Sequence, residues 1–187
     1  MRLENSFDVT APLDASWRLL TDVPSVLPCI PGAELVEVVD ERTWKAKLRV
    51  RLGPIALQFM TDVVREEMDE AAGRVVLSAK AREARGRGSA EARIESTLAA
   101  GNGGTRVSIV TDLTLQGSVA QQGRTVVADV AERLTVQFAN CIAARLAGAT
   151  TTPAPAAPAA ASAPIGGLRL FLGALWRSAF RRVTTRR

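Results

Sequence analysis

The stretch Arg106–Ala147, RVSIVTDLTLQGSVAQQGRTVVADVAERLTVQFANCIAARLA, changes its apolar period partway along. Its first part places Val107, Ile109, Thr111, Leu113 and Leu115 at every second position, the spacing of a strand with one buried face. From about Ser118, Val119, Val126, Val130, Leu134, Phe138, Ile142 and Leu146 recur mostly four apart. That is the spacing of an amphipathic helix of roughly eight turns at ~3.6 residues each, with Gly148 as its expected end. A strand that feeds a helix of this length predicts an α+β domain with the helix laid across an open sheet face.

Upstream the alternation repeats. The GNGG run at 101–104 reads as a hairpin turn, and before it Arg87–Leu98 places Ala90, Ala92 and Ile94 inward. Arg74–Arg82 does the same with Val75, Leu77, Ala79 and Ala81, and Ile55–Met68 with Leu57, Phe59, Thr61 and Val63. Thr43–Leu52 is the clearest strand: Trp44, Ala46, Leu48, Val50 and Leu52 alternate with Lys45, Lys47, Arg49 and Arg51. Connections as short as Gly53-Pro54 and residues 71–73 predict an antiparallel meander. Arg2–Thr10 reads as a first strand. Pro12 suits the first turn of a helix over Leu13–Thr21. The three prolines of Asp22–Glu34 leave room for one helical turn around Ser25–Leu27 and then a kinked loop.

Of the 187 residues, the first 148 carry 18 basic and 19 acidic side chains, whereas Ala149–Arg187 carries six arginines and no acid. The basic balance therefore belongs to a tail behind a near-neutral domain, which argues against a nucleic-acid partner. The chain has no histidine and no tyrosine, which removes the commonest general base and transition-metal ligand. No metal-ligand spacing or phosphate-binding glycine loop is present, and Gly86 and Gly88 lack the rest of a dinucleotide fingerprint. Cys29 and Cys141 read as free buried thiols, with a single bridge between them as the open alternative. Cys29 has no histidine to activate it as a nucleophile. Glu34 and Glu37 read as surface carboxylates rather than acid–base catalysts. The Lys45, Lys47, Arg49, Arg51 row reads as a solvated face, with enzyme docking as the alternative. MRLENSFDV has no apolar core of a secretory signal, so a cytosolic location is the expectation.

Ala149–Pro164, ATTTPAPAAPAAASAP, reads as an extended flexible linker that could reach roughly 50 Å at ~3.1 Å per residue. In 165–187, Leu168, Phe171, Leu172, Leu175, Trp176, Ala179 and Val183 share one helical face, flanked by Arg169, Arg177 and Arg181. Arg177 lies too far inside for a comfortable membrane span, each central arginine costing about 3 kcal/mol. An interfacial helix instead buries the apolar face and leaves the arginines with the headgroups. The expected membrane-binding residues are Leu168, Arg169, Phe171, Leu172, Leu175, Trp176, Arg177, Phe180, Arg181 and Arg182, with docking into a protein groove as the alternative.

The octet Leu27–Glu34, LPCIPGAE, resembles the signature of the carbon monoxide dehydrogenase G-subunit family. Gly53-Pro54, Phe59, Gly86-Arg87-Gly88-Ser89-Ala90 and the Gly117…Gly123 approach to the long helix are also similar to that family, over residues 1–148. The resemblance implies a helix-grip, START-like (SRPBCC) fold, a curved antiparallel sheet wrapped around one long helix. It also implies an accessory protein rather than an enzyme, with a cyclase or hydrolase on the same fold as the enzyme alternative. The implied partners are a molybdenum-containing carbon monoxide dehydrogenase or related oxidoreductase and the inner leaflet of the cytoplasmic membrane, bound peripherally from the cytoplasmic side. The implied ligand is an isoprenoid quinone of the menaquinone type, with no covalent cofactor. From the residues alone, small inward side chains fit a plain core; with the resemblance they fit an apolar cavity. Its expected walls are Leu27, Ile30, Ala46, Leu48, Leu57, Phe59, Leu77, Ala79, Val126, Val130, Leu134 and Phe138. The alternatives are a recruitment adaptor with a filled core, or a carrier of lipid or fatty acid.

Overall fold

The computed structural model describes residues 1–52 and 55–150. The expected Gly53-Pro54 turn, most of the linker and the whole tail lie outside the described residues. Seven strands form one antiparallel sheet in the order β1-β7-β6-β5-β4-β3-β2. They are β1 Arg2–Val9, β2 Ala33–Val38, β3 Thr43–Leu52, β4 Ile55–Asp69, β5 Arg74–Glu83, β6 Gly88–Gly101 and β7 Gly104–Gly117. Between β1 and β2 come helices α1 (Leu13–Thr21) and α2 (Val23–Val26) and a 3-10 turn, Leu27–Cys29. After β7 a second 3-10 turn, Ser118–Gln122, leads to α3, Arg124–Thr150. This is the expected helix-grip order.

Three boundaries differ from the sequence expectation. The long helix starts at Arg124 rather than near Ser118, because Gly117 (φ 73°) and Gly123 (φ 81°) both adopt left-handed backbone that breaks a continuous helix. It also passes Gly148 and continues to Thr150, since a helical glycine costs only about 1 kcal/mol and does not by itself end a helix. Strand β2 was hidden by the proline-rich loop before it and by its edge position, where Val36 and Val38 are exposed. It pairs with β3 alone. Lys45 and Lys47 reach its glutamates, Glu37 at 2.8 Å and Glu34 at 3.1 Å. The basic row of β3 and the two carboxylates thus serve each other as exposed ion pairs of small energetic weight.

The two cysteines are not free. Cys29 and Cys141 form a disulfide, their Cα atoms 5.4 Å apart, which joins the first 3-10 turn to α3 across 112 positions of sequence. The bridge lies in a core of Val9, Ala11, Val26, Ile142 and Leu146. Phe7 meets Phe138 edge-on beside it at 5.9 Å. Sequence spacing could not reveal the pairing, because only the tertiary fold brings α3 back over this turn. A second cluster of Trp17, Val75, Leu98 and Val107 continues this core under α1.

The sheet has two distinct ends. The β2–β3, β4–β5 and β6–β7 turns and the exit from β1 lie at one; the β3–β4 and β5–β6 turns, the exit from β7 and the start of α3 lie at the other.

Candidate functional site

The concave face closes unevenly along the strands. On β6, inward Leu98 is buried, while Ile94, Ala92 and Ala90 are half-buried. On β7, Val107 is buried, whereas Ile109, Leu113 and Leu115 are half-buried; on β1, Val9 is buried and Phe7 and Leu3 are not fully so. On β3, Trp44 and Ala46 are buried and Leu48 and Val50 half-buried. Pairing aligns the small residues: Ala79 opposite Ala92, Ala81 opposite Ala90, and Thr61 opposite both Ala46 and Ala81. Side chains this short leave α3 little to interdigitate with. Apolar surface therefore remains between the sheet and the first half of α3, toward the end where α3 begins.

The expected cavity walls divide accordingly. Leu48, Leu77, Ala79, Val130 and Leu134 are half-buried, and Ala46, Leu57 and Phe59 are buried. Val130 packs against the Leu57 and Phe59 cluster. Leu27 is buried in the first 3-10 turn, Ile30 caps it, and Phe138 packs beside the disulfide on the closed side. Val126 is exposed at 36%, and its neighbour Val127 is buried instead. The Thr61 hydroxyl is buried with no hydrogen-bond partner among the described residues, so it is a lone polar atom in an apolar wall.

The CIPG loop flanks this face from β2. Gly32 has φ 81°, and a Cβ there would collide with the Arg49 carbonyl, while the Arg49 N–H donates to the Gly32 carbonyl at 2.9 Å. Only glycine lets the loop lie so close against β3.

The rim of the open end is built on Glu83, whose side chain is 1% exposed. Its carboxylate accepts hydrogen bonds from the backbone N–H groups of Arg85 at 2.8 Å and Arg87 at 3.2 Å, and from the Arg87 guanidinium at 3.0 Å. The Arg87 hydrogen bond, helped by the two backbone donors, outweighs burial and holds the carboxyl down to about 2. Arg87 also donates to the Ala56 carbonyl at 2.9 Å, and its own carbonyl accepts from the Ser118 hydroxyl at 2.7 Å. One buried carboxylate thereby ties the β5–β6 turn to β4 and to the approach to α3. Beside it lies a cleft of about 510 Å³ lined by Arg49, Arg51, Arg85, Arg87, Gln58, Glu83, Ala56, Ala84 and two concave-face residues, Val50 and Leu57. Sequence reading missed this rim; an acid directly before the ARGRGS turn was the one available signal.

Among the described residues no cluster of three or more metal-ligating side chains occurs, and no helix is long and apolar enough to cross a membrane.

A search of curated protein sequences finds no significant match. Solved structures show the same fold at low identity. A conserved protein from Geobacillus kaustophilus is 20% identical, with a TM-score of 0.71 over 80% of this chain and 97% of its own. A protein from Thermus thermophilus is 15% identical, with a TM-score of 0.60 over 81% and 100%. The Zhui aromatase/cyclase from Streptomyces sp. R1128 is 15% identical, with a TM-score of 0.58 over 80% and 95%. Residues 6–147, which hold the CIPG loop, the alanine-lined sheet and nearly all of α3, match the family model of the carbon monoxide dehydrogenase G-subunit, CoxG, and the chain belongs to that family.

Proposed function

We propose that this chain is a non-catalytic accessory protein with two tasks. Its domain carries an apolar small molecule, an isoprenoid quinone of the menaquinone type, between the sheet and the first half of α3. Residues 165–187 hold it to the inner leaflet as a peripheral helix on the linker of residues 149–164. It thereby brings a molybdenum-containing carbon monoxide dehydrogenase or related oxidoreductase to the membrane. The observation that carries the ligand reading is the uneven closure of the concave face: on β1, β3, β6 and β7 the inward apolar residues are buried toward one end and half-buried toward the other, while Leu57 and Phe59 of β4 stay buried. A ligand that is mostly hydrocarbon suits a wall of Ala, Leu, Ile and Val, because burial is worth about 25 cal/mol per Å² on both surfaces. On the cytoplasmic side the Cys29–Cys141 bridge would face a reducing pool, so its persistence in the cell reports directly on location.

Native mass spectrometry of full-length protein purified with its lipids tests the carrier reading. The expected result is one adduct of quinone mass, lost on adding a bulky side chain at Ala92. A protein that emerges and stays empty when offered quinone is an adaptor with a filled core. Flotation with liposomes, full chain against a version ending at Thr150, tests the tail. Equal flotation of both removes its anchor role.

A further inference from the structure

The near-neutral domain conceals a strong separation of charge. At the end where α3 begins, the turns and strand ends carry Arg49, Arg51, Arg82, Arg85, Arg87 and Arg124 against three carboxylates, Glu34, Glu83 and Glu91, of which Glu34 is held by Lys47. Glu83 is buried under Arg87, and Glu91 stands opposite Lys80 in the sheet register. At the other end the β2–β3 and β4–β5 turns gather Asp40, Glu41, Glu66, Glu67, Asp69 and Glu70.

The arginines of the two ends also differ in their partners. At the acidic end Arg74 is held by Glu67 and Glu95, Arg106 by Asp8, and Arg42 by the carbonyls of Arg65 and Glu66. At the basic end the side chains of Arg51, Arg82, Arg85 and Arg124 have no hydrogen bond or ion pair to any other described residue. Arg49 has only Glu34 at 3.7 Å. Four exposed guanidinium groups with no partner among the described residues are a standing demand for anions. Two of them, Arg51 and Arg85, line with Arg49 and Arg87 the cleft that reaches Val50 and Leu57 on the concave face.

We propose that this basic end is a membrane-docking surface of the domain itself. Its arginines engage the phosphates of an anionic leaflet and set the opening of the apolar space against the bilayer. Charge complementarity argues for the anion. The coincidence of arginines with an apolar opening argues for a bilayer over an acidic protein, which would seal the opening with polar surface. An apolar ligand that leaves the domain here passes into hydrocarbon without crossing water. The docking rests on the proposed ligand function only for what passes through the opening; the charge attraction stands without it. Each arginine held near such a surface changes the partition by roughly fivefold, and salt weakens it.

The test uses the full chain with one added thiol for an environment-sensitive label, Ala84→Cys at the basic end or Glu41→Cys at the acidic end. Vesicles are phosphatidylcholine alone or with one-third phosphatidylglycerol, carrying lipid-attached quenchers. The expected result is quenching at position 84 on the anionic vesicles only, and at position 41 on neither. Arg51→Glu/Arg85→Glu is expected to reduce quenching at position 84 at least tenfold, while Arg51→Lys/Arg85→Lys retains it and guards against misfolding. Equal quenching at both positions, or quenching indifferent to charge reversal, overturns the proposal. So does a label at 84 that polyglutamate shields and vesicles leave alone, which assigns the surface to an acidic protein. Flotation of the same samples separates this from the tail anchor. If the tail anchors, the charge-reversed chain still floats but loses contact at 84; if it does not, charge reversal abolishes flotation while contact at 84 in the unaltered pair stands.

Discussion

At the end of the β2–β3, β4–β5 and β6–β7 turns, Val9, Leu98 and Val107 are buried and Ile142 is sealed completely; at the other end the same strands present half-buried Ala90, Leu113 and Leu3 to the first half of α3. One sheet and one helix thus make a closed end and an open end. The cause is side-chain volume. Trp17, Trp44, Phe7 and Phe138 fill the space at the closed end, where the disulfide also holds α3 down. At the other the sheet offers α3 only the short side chains of alanines 79, 81, 90 and 92 beside the Leu57 and Phe59 cluster. Charge follows the same division, with paired arginines at the closed end, whereas at the open end the Arg51, Arg82, Arg85 and Arg124 side chains have no partner among the described residues. Stability and ligand binding are therefore expected to respond to different ends.

The largest effect should come from the bridge. Closing a loop of 112 positions removes chain entropy from the unfolded state worth about 5 kcal/mol. Denaturant unfolding of the Cys29→Ser/Cys141→Ser protein should show a loss of that order, and reductant should reproduce it in the natural chain. If neither lowers the midpoint, the closed end does not depend on its staple.

A matched pair sharpens the contrast within α3. Leu146→Ala removes a buried side chain and should cost about 3 kcal/mol, whereas Leu134→Ala at a half-buried position should cost about 1 kcal/mol. Equal losses in the two unfolding curves would mean the helix is packed uniformly and the open end is full.

Adding volume reverses the order. Ala46→Leu, at a position 3% exposed, should destabilise by about 2 kcal/mol through overpacking. Ala92→Leu, half-buried opposite Ala79, should leave the melting temperature within a few degrees and abolish uptake of quinone in a fluorescence-quenching titration. A severe loss of stability at 92 would show that no space awaits a ligand there.

How much of this contrast was legible beforehand depended on whether neighbours in sequence or neighbours in space created it. Six of the seven strands announced themselves by alternation, because each is a one-face-buried strand whose period is set locally. The small residues at 79, 81, 90 and 92 were visible too. Their consequence was not, because a row of alanines makes a tight interface or a void according to how closely α3 approaches. The bridge and the Glu83 rim escaped for a related reason. Cys29 and Cys141 meet through the return of α3, and Glu83 looks like any hairpin acid until its neighbours' N–H groups turn inward. The charge dipole was in plain sight but cancelled in the sum over 148 residues.

Acid separates the rim from the rest. Glu83 titrates at about 2 when folded, held there chiefly by Arg87, against an ordinary value of 4.5. Glu95, on the outer side of β6, is likewise held down to about 2, chiefly by Arg74. A carboxyl whose folded value is depressed stabilises fully above its unfolded value and loses that contribution as pH falls through the folded one. The melting temperature should therefore stay level above about pH 5 and decline from there toward pH 2. Glu83→Gln should make that decline shallower, leaving the shares of Glu95 and of Asp8 and Glu34, which Arg106 and Lys47 also hold down. A variant with an unchanged acid slope would show that the rim carboxylate contributes nothing to folding.

The smallest effect concerns the unpartnered hydroxyl in the apolar wall. Thr61 lies between Ala46 and Ala81, with no acceptor or donor for its Oγ1 among the described residues. An unsatisfied buried hydroxyl costs about 1–3 kcal/mol of desolvation that a methyl of the same shape avoids. Thr61→Val should thus raise stability by up to about 1 kcal/mol, which thermal unfolding resolves, and leave the concave surface unchanged in shape. The comparison gains its finest test when the same variant is loaded with quinone. If a bound carbonyl reaches the hydroxyl, the valine protein gains stability empty but binds several-fold more weakly. If affinity is unchanged, the open end recognises its ligand by apolar contact alone, and Thr61 is a polar residue that the wall merely tolerates.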